Sequence, residues 1–139
     1  MSYLLDTNVV SAMAKPPIDE GVGRFLEGAE EDELYLSVVT LAELRYGIER
    51  LPAGAKRSNL EKWLEGELIA RFENRIFLMD GFAAVEWGRI KARAERMGRP
   101  ISEMDAWMGA TAALHGLTIV TRNVDDFASF SGKLLNPWE

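Results

Sequence analysis

The chain has 139 residues, 47% hydrophobic and 27% charged, with a net charge of −6, one histidine and no cysteine. That length suits one domain, residues 1–139, with a real core, and the missing thiols exclude a disulfide framework and any thiolate metal site. A lone histidine makes a zinc site of nitrogen and sulfur ligands untenable, so a metal here must be held by oxygen, which favours Mg²⁺ or Mn²⁺.

The acidic balance argues against a generic nucleic-acid binder, whose affinity would come from lysine and arginine. It does not exclude an enzyme whose acids hold cations that then meet phosphate. No apolar run approaches the roughly 18–20 residues that span a bilayer. The N-terminal stretch has no basic region and carries Asp6, so it does not read as a signal peptide. The expectation is a cytoplasmic protein with no membrane partner.

In chain order, Tyr3-Leu4-Leu5 reads as a buried strand that delivers Asp6 at its C-terminal end. Thr7 and Asn8 are good N-cap residues for a short helix through Met13, and Lys15-Pro16-Pro17 breaks it. Asp19 opens a second helix through Val22, Phe25 and Leu26, and the acidic run Glu30–Glu33 is expected to be a solvated loop. Leu34-Tyr35-Leu36-Ser37 is a strand whose Ser37 caps the next helix. In that helix Leu41, Leu44, Ile48 and Leu51 recur at helical spacing, until Pro52-Ala53-Gly54 stops it.

An amphipathic helix is expected over Lys56 to Phe72, with Leu60, Trp63, Leu64 and Leu68 on one side as a face for a dimer or partner. Arg75 to Met79 reads as a strand. Asp80 then starts a helix through Val85, Trp87, Ile90 and Ala94, closed by Gly98 and Pro100. Ser102 to His115 is the next helix, with Gly116 ending it. Leu117 to Thr121 is a β-branched strand, Asn123 to Phe127 a helical turn, and Leu134-Leu135 a last short strand. Strands alternating with helices imply an α/β fold: a three-layer α/β/α sandwich around a mainly parallel sheet.

Four places carry acids or amides where such a sheet builds its sites, beyond the C-terminal ends of the strands. Asp6 follows the first strand. Asp105 is the last charge before the uncharged run Ala106–Leu114, which marks a helix buried around most of its circumference. Glu43 falls off the Leu41/Leu44/Ile48 stripe and so faces a cleft or water. Asn123 and Asp126 follow the strand ending at Thr121, with Asp126 better spaced for a site than Asp125. Each has a bland reading: Asp6 as a helix cap, Ser102–Asp105 as a capping box, Glu43 as an exposed helical acid, Asn123 as an N-cap. His115 suits a helix C-terminus, the four tryptophans suit core or dimer contacts, and Met104 and Met108 suit packing. A cluster of acids at one edge, however, is tolerated only if cations neutralise it.

The motifs Leu4-Leu5-Asp6-Thr7-Asn8, Thr40-Leu41-Ala42-Glu43-Leu44, Asp105 leading into Gly109-Ala110-Thr111-Ala112, Thr121-Arg122-Asn123 and Asn136-Pro137-Trp138 occur in order along nearly the whole chain. In this the sequence resembles the PIN-domain ribonucleases of the VapC toxin type, nearest their FitB-like branch. The resemblance implies a five-stranded parallel sheet and an acidic pocket for Mg²⁺ or Mn²⁺ on Asp6, Asp105 and Glu43. It also implies hydrolysis of RNA phosphodiesters, a homodimer and a small cognate antitoxin. Asn123 stands where some members have a fourth aspartate, which leaves a second metal resting on Asp126. Thr7 and Thr121 are expected to position waters or carboxylates behind the ligands, and Arg45, Arg122 and Lys15 to contact RNA phosphate. Two rivals remain open. A haloacid-dehalogenase-like phosphatase also places an Asp after its first strand, but wants another acid where this chain has Asn8. A PIN-fold binding module without turnover would fit Asn123.

Overall fold

A computed structural model describes residues 1–139. Five strands, β1 (Tyr3–Leu5), β2 (Leu34–Ser37), β3 (Ile76–Phe77), β4 (Thr118–Val120) and β5 (Leu134–Leu135), form one sheet in the order β3-β2-β1-β4-β5. Every pairing is parallel, as the alternation of strands and helices requires. The strands are short and β1 is central, with register Leu4↔Ile119 and Leu5↔Val120 against β4.

Adjacent residues of each strand serve opposite faces. Leu4 and Ile119 join one core with Val39, Ile90, Met108 and Phe127. Leu5 and Val120 join the other with Val9, Val10, Val22, Leu34, Leu36 and Phe72. The first face is covered by α6 (Gly81–Arg96) and α7 (Glu103–His115); the second is covered by α1 (Thr7–Met13), α2 (Glu20–Gly28), α3 (Val38–Glu49) and α4 (Ala55–Lys62) with its continuation. That is the expected three-layer sandwich. No helix is long and apolar enough to cross a membrane.

Most boundaries have the local cause read from the sequence. Asp19, Ser37, Asp80 and Ser102 each accept a backbone N–H of the first turn of the helix they precede. Gly116 ends α7 in the left-handed conformation, with φ 64°. Gly21 has no room for a side chain, because a Cβ would collide with the Pro137 carbonyl. That contact seats the C-terminal Asn136-Pro137-Trp138 segment on α2.

Several expectations are corrected. The cap of α1 is Asp6 itself rather than Thr7 or Asn8. The acidic run is not a free loop: Glu31–Glu33 is a 3-10 turn, Glu31 pairs with Arg71 and Arg75 at 2.8 Å each, and Glu33 holds the N-terminal amine at 2.9 Å. The Lys56–Phe72 helix widens into a π segment (Trp63–Leu68) between α4 and a last turn α5 (Ile69–Arg71). Its apolar side is mostly spent on the core, since Leu64 and Leu68 are buried while Leu60 and Trp63 are half-buried. Of the two methionines expected to pack, Met108 is fully buried, but Met104 is exposed at a cavity mouth. His115 stacks on Phe77, with ring centroids 4.2 Å apart, and Trp87 stacks on Trp107.

Candidate metal centre

The chain leaves β1 toward β2 and β3 on one side, and returns through β4 and β5 on the other. Between β1 and β4 the connections diverge, and the crevice beyond that pair's C-terminal ends is where an open α/β sheet places its ligand. Asp6 sits there because the Asp6 amide donates to the Val120 carbonyl at 2.9 Å, which extends the β1–β4 ladder by one bond.

Asp6 is 7% exposed and fully engaged. Its Oδ1 accepts the Thr7 amide at 2.8 Å, and its Oδ2 accepts the Thr121 hydroxyl at 2.7 Å and Asn8 Nδ2 at 3.4 Å. Thr121, buried at the end of β4, also accepts from Asn8 Nδ2 at 3.2 Å and from the Asn123 amide at 3.0 Å. Asn8 closes the loop by accepting the Arg122 amide on Oδ1 at 3.1 Å. The turns after β1 and β4 are therefore locked to each other by side chains. Both readings of Asp6 hold at once: it caps α1 and it presents a carboxylate at the sheet edge.

Glu43 lies on α3 and accepts the Thr7 hydroxyl at 2.6 Å, so it faces the cleft and not open water. Asp105 enters from the first turn of α7, where Ser102 Oγ accepts its amide at 3.1 Å. Asn123 and Asp126 come from the 3-10 turn Val124–Phe127 and its start; the Asn123 side chain makes no capping bond. Asp6, Glu43, Asp105, Asn123 and Asp126 line one open hollow together with Thr7 and Asn8. Ser11, Ser102 and Met104 line it too. Of these, Ser11 is a residue sequence reasoning missed; its signal is its place one helical turn beyond Thr7 on α1.

The electrostatics match a gathering of like charges. Burial raises the Asp6 carboxyl above its ordinary value, opposed by its hydrogen bonds and reinforced by Asp126. Burial also pushes Asp105 up to about 6, with the charges of Asp6, Asp126 and Glu43 adding to the shift. As the side chains stand, no three acids converge at metal-ligand distance. The physical reason is visible in the bonds: Glu43 is turned onto Thr7 and Asp6 onto Thr121, which spreads the negative charge. The donor set still suits a hard cation. Mg²⁺ keeps several waters and takes one or two carboxylates, so it needs no closed cage of protein ligands. Asp6, Glu43 and Asp105 are carboxylates in the hollow that could hold such a cation.

The basic candidates are not brought together. Arg45 is bound to Glu49, Glu61 and Glu65 at 3.0, 3.3 and 3.5 Å, which ties α3 to α4 and the π segment; it does not line the hollow. Arg122 adjoins the site through its backbone, and its guanidinium lies 5.3 Å from the Trp138 ring centroid. Asn136 steadies that arrangement by accepting the Trp138 amide at 3.0 Å. Lys15 lies in a groove next to the hollow.

A parallel five-stranded sheet with an acidic hollow at the β1–β4 crevice defines a class, and the family comparison agrees: the PIN domain model matches residues 3–133. The chain belongs to the PIN-domain family. It is similar to the VapC ribonuclease Y4jK of Sinorhizobium fredii, at 35% identity over 98% of this chain and 97% of that one. It is also similar to the toxin FitB of Neisseria gonorrhoeae, at 36% identity over 97% of each; the solved FitAcB structure from that organism matches with a TM-score of 0.92 and 35% identity, over 99% of both chains. A solved member of the VapBC family of toxin-antitoxin systems from Mycobacterium tuberculosis matches with a TM-score of 0.71 and 27% identity, over 97% of this chain and 98% of that one.

Proposed function

We propose that this chain is a divalent-cation-dependent endoribonuclease, the toxin of a toxin–antitoxin pair, acting as a single PIN unit over residues 1–139. One observation carries the reading: Asp6, Glu43, Asp105 and Asp126 line a single hollow at the sheet edge of a PIN-domain chain. The name of its full-length relative, a ribonuclease, supports RNA as substrate. Nothing favours the phosphatase rival, because Asn8 is committed to bridging Thr121 and Arg122.

Mg²⁺, or Mn²⁺, is the cation the donors suit; Asp6 and Asp105 would hold it, with Glu43 as the third acid. When bound, it supplies positive charge that acidifies water and offsets the charge growing on a phosphate. The chain's own residues do the rest. Thr121 and the Thr7 amide hold the Asp6 carboxylate in a fixed direction within the hollow. Glu43, half-buried beside the Thr7 hydroxyl, is placed to take a proton from an attacking water. Asn123 orients substrate or water by hydrogen bonding where some relatives use an acid, and Asp126 contributes negative field. Arg122, braced on Trp138, contacts substrate phosphate. An antitoxin segment carrying arginine or lysine would occupy the same acidic field and block it. The active species is a cytoplasmic homodimer.

Incubating the purified protein with structured RNA tests this. Cleavage is expected with Mg²⁺, none with EDTA, and at least about a hundredfold loss in Asp6→Ala and Asp105→Ala that remain folded. Cleavage that persists in EDTA and in both variants would falsify the metal-centred reading. Folded protein that binds RNA without ever cutting it would favour the binding-module alternative.

A further inference from the structure

A groove opens from the hollow at Thr7, Ser11 and Glu43 and runs between α1, α3 and α4. Its middle stretch is apolar, lined by Leu44, Ile48, Leu51, Leu60 and Trp63, with Gly47 among them. Lys15 and Lys56 stand at its far end, where it continues toward Asn59. In this acidic chain Arg45, Arg57, Arg71 and Arg75 are all spent on glutamates, but neither of these lysines takes part in an ion pair. Lys56 also lies in the first turn of α4, a turn with no acid and no side-chain cap, so the helix end adds to the positive field.

The geometry points to a subsite for the RNA strand beside the scissile phosphate: a nucleobase lies in the apolar slot against Trp63, and the next phosphate sits on Lys15 and Lys56. The inference rests on the nuclease reading and deepens it. The order of chemistries along the groove carries it: acids for a cation at one end, then an apolar slot with one aromatic side chain, then two cations outside any ion pair. Single-stranded RNA repeats phosphate, base, phosphate in that sequence, and stacking on an aromatic ring tolerates any base. A cationic protein tail would meet repulsion at the lysine end.

The test is single-turnover cleavage in Mg²⁺ of a mixed-sequence single-stranded RNA by the full chain and two variants. Lys15→Ala/Lys56→Ala removes the cations. Gly47→Phe fills the slot; a side chain there meets no atom within 4 Å at its Cβ. In both, the half-saturating protein concentration should rise about tenfold with the plateau rate within about twofold. The double-lysine variant should also lose about 0.7 from the magnitude of its salt slope, the share of the one single-strand phosphate that the two lysines hold. An abasic site next to the cut should weaken the wild type about tenfold and Gly47→Phe hardly at all. Unchanged half-saturation in both variants overturns the subsite, as does a loss of partner-protein affinity with RNA affinity intact. If the wild type itself does not cut, the nuclease reading fails instead; the same variants are then compared for RNA binding by fluorescence anisotropy, where unchanged affinity overturns the subsite on its own.

Discussion

One oxygen of Asp6 caps α1 through the Thr7 amide, and the other accepts the Thr121 hydroxyl. Asp105 carries the larger liability. Its carboxyl titrates at about 6 rather than 3.8, chiefly because it is buried and then because Asp6, Asp126 and Glu43 repel its charge. A raised carboxyl favours the folded state most below the ordinary value, and that contribution is lost as pH rises through about 6. Above that pH the metal-free protein holds the charge at a cost of about 1–2 kcal/mol after allowing for its partial exposure. Asp105→Asn should therefore raise the metal-free Tm at pH 7.5 by about 3–6 °C while abolishing cleavage, with the gain vanishing near pH 3.5. A melting temperature at or below wild type at pH 7.5 would contradict the charge cluster. Mg²⁺ should raise the wild-type Tm but not that of the variant. Thr121→Val keeps the shape but deletes a hydroxyl with three partners. Leaving the Asn123 amide without an acceptor should cost about 2–3 kcal/mol in urea unfolding, with cleavage falling as Asp6 loses its brace.

Among the helices, capping residues were legible because an N-cap works within three residues: Asp19, Ser37, Asp80 and Ser102 all act where their neighbours imply. Interactions between elements were not. Glu43 looks like an ordinary helical acid until α3 packs beside α1 and brings it to Thr7. Arg45, read from its sequence as a phosphate ligand, is neutralised by Glu49, Glu61 and Glu65. Arg45→Ala is accordingly expected to cost about 1 kcal/mol of stability and to leave RNA half-saturation unchanged within about twofold. A strong rise in half-saturation with normal stability would return Arg45 to the substrate path.

Across the whole molecule, one apolar area is conspicuous. Leu78, Met79, Phe82 and Val85 are all exposed where the edge strand β3 leads into α6, with Phe82 at 79%. Apolar residues gathered this way mark an interaction surface. If it is the homodimer face, sedimentation should give a dimer for the wild type and a monomer for Phe82→Asp, and a wild-type monomer at tens of micromolar would sink that assignment. Helical spacing places Val85 on α6 but does not say which side of that helix meets the core.

The kinds of element, most of their ends, the α/β class and a short roster of acids could be read from the chain before any packing was known. Those depend on periodicity, caps and composition, all of which act over a few residues. Packing was needed to show which acids share one hollow, that Asn8 and Thr121 bind two distant turns together, and that Lys15 and Lys56 lie outside any ion pair while Arg45 does not. Each of those is a matter of position between segments tens of residues apart, set by strand order and helix packing, to which no local pattern has access.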